Sequence, residues 1–171
     1  MEEQEAGRYI LNHTEAIAEA VVRRHYDDHL DRWEPYGPPG YEKSIRDVGY
    51  HLAYLAEALD AGDPSLFIDY LGWAKVLFAQ LGFEDQMLVR SLTYMDEVLS
   101  NEMPAPLGAA ARAYVDIGLQ HVRSAPSVLP SQLAPDGQMA EVSRQYLDLL
   151  LSGDRRGASR LILGVVEEGT P

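Results

Sequence analysis

The sequence predicts an all-α protein: an antiparallel bundle of about five helices followed by a two-helix hairpin. Three observations carry this. Apolar residues recur at steps of three and four almost throughout. Clusters of Gly, Pro and Asp punctuate that pattern at intervals suited to helices. Period-two alternation flanked by β-forming residues is not apparent.

The elements follow in order. A first helix is expected over residues 2–33, with Ile10, Ile17, Val21, Val22 and Leu30 on its inner side. Three prolines and two glycines between Glu34 and Gly40 are expected to break it. The second helix, 41–61, carries one stripe of Ile45, Val48, Leu52, Leu55 and Leu59. Gly62-Asp63-Pro64 combines a left-handed stop, a capping carboxylate and a first-turn proline. The third helix, 64–81, is apolar over much of its circumference, which predicts burial between neighbours or in a subunit interface. Phe67, Leu71, Trp73 and Phe78 are the interface candidates. A fourth helix, 84–102, and a fifth, 105–124, complete a bundle over 1–125 in which short loops make sequential neighbours pack antiparallel. Pro126, Pro130 and Pro135 mark a linker over 126–136, and a hairpin of two helices, 137–152 and 154–168, fills 137–171.

Composition narrows the functional classes. The 171 residues suffice for one domain and a small appendage, and a hydrophobic fraction of 46% excludes wholesale disorder. With 14 Lys and Arg against 27 Asp and Glu, the formal charge is −13. That charge argues against nucleic acid and anionic membrane surfaces as partners. The absence of cysteine removes disulfides, thiolate nucleophiles and Cys-ligated metals. The acidic Met1-Glu2-Glu3-Gln4-Glu5 is not followed by the apolar run of a signal peptide, and no stretch reaches the ~20 apolar residues of a membrane span. A cytoplasmic location is expected.

Candidate chemistry centres on histidine and the aromatic residues. His25 and His29 stand at i and i+4 beside Asp27 and Asp28, a spacing that can hold a metal. They are the candidate metal residues, and a metal-dependent hydrolase built on them is the third functional reading. The pair lacks the intervening glutamate of metallopeptidases, so no metal is assigned. His51 lies beside the Val48/Leu52/Leu55 stripe, between Tyr50 and Tyr54. It is either a core-edge histidine satisfied by a tyrosine hydroxyl or a ligand-contacting residue in a sensory bundle, haem included. With Tyr50, Tyr54, Tyr70 and Trp73 it forms the candidate small-molecule or haem site. No residue three before a histidine is Glu, which excludes a bundle di-iron centre. No phosphate loop, dinucleotide fingerprint or nucleophile elbow occurs, so no catalytic residue is assigned.

At the carboxyl end, an apolar helix ends in Leu150-Leu151-Ser152-Gly153-Asp154, a second helix carries Leu161, Ile162, Val165 and Val166, and Glu167-Glu168-Gly169 follows. This stretch, from Tyr146 to Gly169, resembles the opening hairpin of the helical cap of methionine-synthase-type cobalamin-binding domains. Leu161, Ile162, Val165 and Val166 are expected to face Leu147, Leu150 and Leu151. The segments Tyr50–Leu59 and Asp69–Leu77 look like the helical region that precedes such domains in bacterial regulators. The resemblance implies a non-enzymatic sensory, regulatory or interaction module, with a downstream domain or signalling protein as partner. In that family an α/β domain bears Asp-x-His-x-x-Gly, whose His ligates cobalt, and that motif does not occur here. No cofactor is therefore expected in this chain, and cobalamin is expected only in a longer native protein. A homodimer through the second and third helices is the expected assembly.

Overall fold

The long helix expected over residues 2–33 is broken twice. A computed structural model, which describes residues 1–84, 86–128, 137–167 and 169 (the side chains of Arg32 and Gln138 apart), resolves it into α1 (Glu2–Asn12), α2 (Thr14–Asp28) and α3 (Leu30–Trp33). His13 (φ −123°, ψ 16°) and His29 (φ −140°, ψ 40°) leave helical geometry. At the first break the His13 ring stacks on Tyr9 at 4.1 Å, and Thr14 Oγ1 donates to Ile10 O at 2.9 Å. The break has a packing cause: α1 lies against α4 and α7, whereas α2 lies against α4 and α6. One straight helix cannot follow both sets of neighbours.

The proline-rich segment also departs from expectation. Glu34–Tyr36 is a 3₁₀ turn, and α4 (Gly37–Ala61) starts within the prolines rather than after them. Pro38 and Pro39 fall in its first turn, where the missing N–H groups have no intrahelical partner to lose. At the other end Gly62 adopts φ +65°, Asp63 N donates to Ala58 O, and Asp63 Oδ1 accepts from Ser65 N at 2.9 Å. That closes α4 as the Gly-Asp-Pro signal predicts, while Pro64 takes the capping position before α5 (Ser65–Gln80) rather than its first turn.

Helices α6 (Gln86–Glu102) and α7 (Ala105–Ser124) complete the bundle. The protein is an all-α helical bundle, with α4 on α5 and α6 on α7 as sequential pairs. Helix α5, however, packs on α7 about as extensively as on α4 and only slightly on its sequence neighbour α6. Phe67 and Leu71 explain the choice: a Cβ at Gly118 of α7 would fall 2.6 Å from Leu71 Cδ1 and 3.0 Å from Phe67 Cε1. Leu52, Leu55, Leu59, Leu88, Leu92, Met95, Leu99 and Val115 fill the core around them. Lys75 Nζ donates to Val122 O and Ala125 O, both at 2.6 Å, and so closes the carboxyl end of α7.

The chain divides into two compact units, Met1–Val128 and Leu129–Pro171. Most of the expected linker, residues 129–136, lies outside the described residues. In the second unit α8 (Gln138–Leu151) and α9 (Arg155–Glu167) form a hairpin. Gly153 turns it at φ +79°, and Asp154 Oδ1 accepts from Gly157 N at 2.8 Å. The expected internal packing is partial: Leu147, Leu150, Leu151, Ile162 and Val166 all keep more than a third of their surface exposed. Two amphipathic helices alone cannot enclose every apolar side chain they carry. Among the described residues no helix is long and apolar enough to cross a membrane.

Candidate functional site

The packing of α2, α4, α5 and α6 leaves a cavity of about 130 Å³. Helix periodicity brings its walls together. Ser44, Asp47, Val48 and His51 are spaced at three and four along α4, Val22, His25 and Tyr26 do the same on α2, and Met87 and Ser91 lie one turn apart on α6. Trp33, Tyr36, Phe78 and Phe83 add aromatic surface. Tyr26 and Trp33 stack at 5.1 Å with their planes 12° apart, and His25 meets Trp33 edge-on at 5.1 Å.

The polar inventory of this cavity sets it apart from the surrounding core. Three polar or charged side chains are buried among the described residues: His25, His51 and Ser91, at 8%, 3% and 7% exposure. All three line the one cavity. Buried polar groups are normally hydrogen-bonded, yet His25 and Ser91 have no side-chain hydrogen bond among the described residues. The Tyr26 hydroxyl and Trp33 Nε1, also at the cavity, are buried without a partner.

His51 is half satisfied. Its Nδ1 lies 2.7 Å from the Tyr70 hydroxyl. Which of the two donates depends on the tautomer of the ring. Burial holds the His51 pKa down at about 4. His25 is held at about 4 as well, first by burial and then by the nearby charges of His29 and Arg90, against an opposing pull from Asp28. Both rings are neutral at physiological pH. Each offers one donor and one acceptor. Burial raises the pKa of Asp47 on the same wall, with Lys43 and Arg46 pulling the other way.

A second, more open hollow of about 290 Å³ adjoins the first and shares His25, Trp33, Tyr36, Phe83 and Met87 with it. It adds Gly82, Glu84 and Arg90, and Arg90 NH2 reaches Glu84 Oε2 at 3.1 Å.

Of the residues singled out from the sequence, the cavity contains His51 and His25, together with Phe78 from the interface set. Tyr70 stands behind His51 and is sandwiched by aromatics: Tyr54 stacks on it at 3.9 Å and Trp73 lies 6.0 Å away. Tyr50, Tyr54 and Trp73 point to solvent, each about half exposed. Phe67 and Leu71, expected at a subunit interface, are wholly buried against α7, so their surface is already covered within the chain. The rings of His25 and His29 are 5.8 Å apart, and His29 Nε2 lies 3.5 Å from the Tyr94 hydroxyl, which donates to Asp28 at 2.8 Å. No group of three His, Asp or Glu side chains among the described residues is placed to hold a metal ion. The volume of this cavity, about 130 Å³, falls below the ~300–1,000 Å³ of pockets for drug-sized ligands.

Ser91, Tyr26, Trp33 and Asp47 are cavity residues that the sequence reading does not single out. One signal for them exists: Ser91 interrupts the apolar stripe of Leu88, Leu92 and Met95 much as His51 interrupts that of Val48, Leu52 and Leu55. No family model and no curated protein matches the sequence.

Proposed function

We propose that the Met1–Val128 bundle is a non-enzymatic sensory or regulatory module that binds a small ring-shaped molecule in the cavity between α2, α4, α5 and α6. The observation that carries this reading is the convergence of all the buried polar side chains described, His25, His51 and Ser91, on one aromatic-lined cavity. An unpartnered buried polar group costs about 1–3 kcal/mol, and a core under selection for packing alone would place apolar residues there. A ligand with complementary donors and acceptors offsets that penalty. The volume suits one ring, since an engineered apolar cavity of ~150 Å³ takes up benzene. Binding is favoured over turnover because no hydrogen bond joins Ser91 to either histidine as nucleophile to base among the described residues.

Benzyl alcohol is a suitable probe. It should raise the melting temperature in a saturable way, by the linkage expected for a ligand of the folded state. Ser91→Val and His51→Phe should abolish the response. A melting curve unmoved by benzyl alcohol, phenol and indole at millimolar concentrations would overturn the proposal.

The hairpin supports a second proposal, that α8 and α9 open a cobalamin-binding-type cap in a longer native protein. Its support is the Gly153-Asp154 turn and the exposed apolar face of Leu147, Leu150, Leu163 and Val166. A native gene lacking an Asp-x-His-x-x-Gly region downstream would end it. A homodimer is proposed on the exposed aromatic face of Tyr50, Tyr54 and Trp73. A strict monomer in sedimentation at high concentration would contradict it.

A further inference from the structure

Trp33 and Tyr36 line both the inner cavity and the more open outer hollow, and so stand where one gives onto the other. Both belong to one short segment, residues 30–36, made of α3 and the 3₁₀ turn. Backbone breaks bound it on each side. His29 leaves helical geometry before it, and Gly37 after it takes φ +58° and ψ −164°, a region essentially reserved for glycine. One turn of α-helix and one 3₁₀ turn have little cohesion of their own. Aromatic contacts hold the segment down. Trp33 stacks on Tyr26, meets His25 edge-on and lies 5.9 Å from the Tyr36 ring. Tyr36 in turn sits on α4 at Gly40, where any added Cβ would clash with its own. Leu30, expected on the inner side of the first helix, is instead 62% exposed and adds no anchor. The closed position also carries a cost. Trp33 Nε1 and the Tyr26 hydroxyl are both buried without a partner, and they belong to the two rings that stack. Swinging the segment outward returns these groups to water. Stacking and desolvation therefore oppose each other, as in an element with two states.

We propose that residues 30–36 form a gate, which opens about His29 and Gly37 to admit a ring compound and is closed by it. This rests on the reading of the cavity as a ring-binding site. A ligand in the inner cavity gains the Trp33 and Tyr36 surfaces only while the segment is down. It therefore binds the closed form more tightly and shifts the population towards it. Occupancy inside the bundle is thereby reported at its surface, where Tyr36 is 55% exposed. That is the link between a buried site and an outer segment on which a sensory module depends.

The test uses the full chain carrying Trp73→Phe. Since the protein has two tryptophans, Trp33 then reports alone. Acrylamide quenching of Trp33 is measured without ligand and with benzyl alcohol, at a concentration that the rise in melting temperature shows to be saturating. Saturation should lower the quenching constant by about threefold or more. Gly37→Ala has room for its Cβ but not for its backbone angles, so it should favour the open form. It should raise the quenching constant of the free chain by about threefold and weaken benzyl alcohol by a similar factor. With saturating benzyl alcohol the variant should return to the parent's bound value, a recovery that general damage to the fold would not give. If Gly37→Ala fails to fold by circular dichroism, Tyr36→Ala removes one anchor instead and should likewise raise quenching in the free chain. Equal quenching with and without saturating ligand, or a free-chain value that neither variant raises, would overturn the gate while leaving the ring-binding reading intact. No rise in melting temperature with any ring compound would remove both.

Discussion

Ser91→Val separates a ligand cavity from an ordinary core most cleanly. Ser91 is buried, lines the cavity and makes no side-chain hydrogen bond among the described residues. Valine and serine have similar helix propensities, so α6 itself is hardly affected. The change replaces the hydroxyl with one methyl group and adds another into about 130 Å³ of space. Burying one to two such groups at ~0.8 kcal/mol each contributes about 1 kcal/mol. The variant should therefore be more stable than the parent by about 1 kcal/mol, or roughly 4 °C at about 4 °C per kcal/mol for a unit of this size. Urea unfolding gives the free energy and calorimetry gives the temperature. The same variant should lose its response to benzyl alcohol, so that stability rises as binding falls. A loss of 1 kcal/mol or more on Ser91→Val would refute the reasoning, since it would mean that the hydroxyl is satisfied or that no space exists beside it.

Three further outcomes follow from named contacts. His51 titrates at about 4 in the folded chain and at about 6.5 unfolded, so the unfolded state takes up the proton first and stability, complete above about pH 6.5, declines as pH falls towards 4. Between pH 7 and pH 5 the parent should lose on the order of 2 kcal/mol more than His51→Phe in urea titrations, the carboxylate contributions being common to both. Gly118→Ala ordinarily gains about 1 kcal/mol in helix propensity, but its Cβ would overlap Leu71 Cδ1 at 2.6 Å. A net loss of about 1–2 kcal/mol in urea is expected. Lys75→Met removes two charge-assisted bonds to Val122 O and Ala125 O and should cost about 1–3 kcal/mol, read as faster amide exchange in the last turn of α7.

Much of the fold is legible because helix periodicity and helix punctuation agree. Gly62-Asp63 reads correctly since each residue does one local job at the boundary. The prolines at 38 and 39 mislead because a proline is compatible with a helix start as well as a break, and which one occurs depends on what the first turn packs against. The interruption at His13 is hidden because Ile10 and Ile17 preserve the apolar period across it, even though α1 and α2 serve different neighbours.

The site is less legible than the fold, for a geometric reason. Tyr50 and Tyr54 are four apart and share a face, but that face lies about 80° round the helix from His51. Hence His51 enters the cavity while its sequence neighbours meet solvent. Tyr26 and Trp33 come together only because the chain bends between α2 and α3, and no periodic pattern records a bend. Ser91 is a small polar residue in an apolar stripe, a signal that becomes specific once the opposite wall is known to hold His25 and His51.

The most direct test of the central claim is a set of intermolecular nuclear Overhauser effects between the ring protons of bound benzyl alcohol and the protein. The cavity reading predicts contacts to the Met87 methyl, the Phe78 ring and the His51 ring together, all of which line the same wall space. Contacts confined to the exposed Trp73 and Tyr54, or none at a saturating concentration, would contradict it.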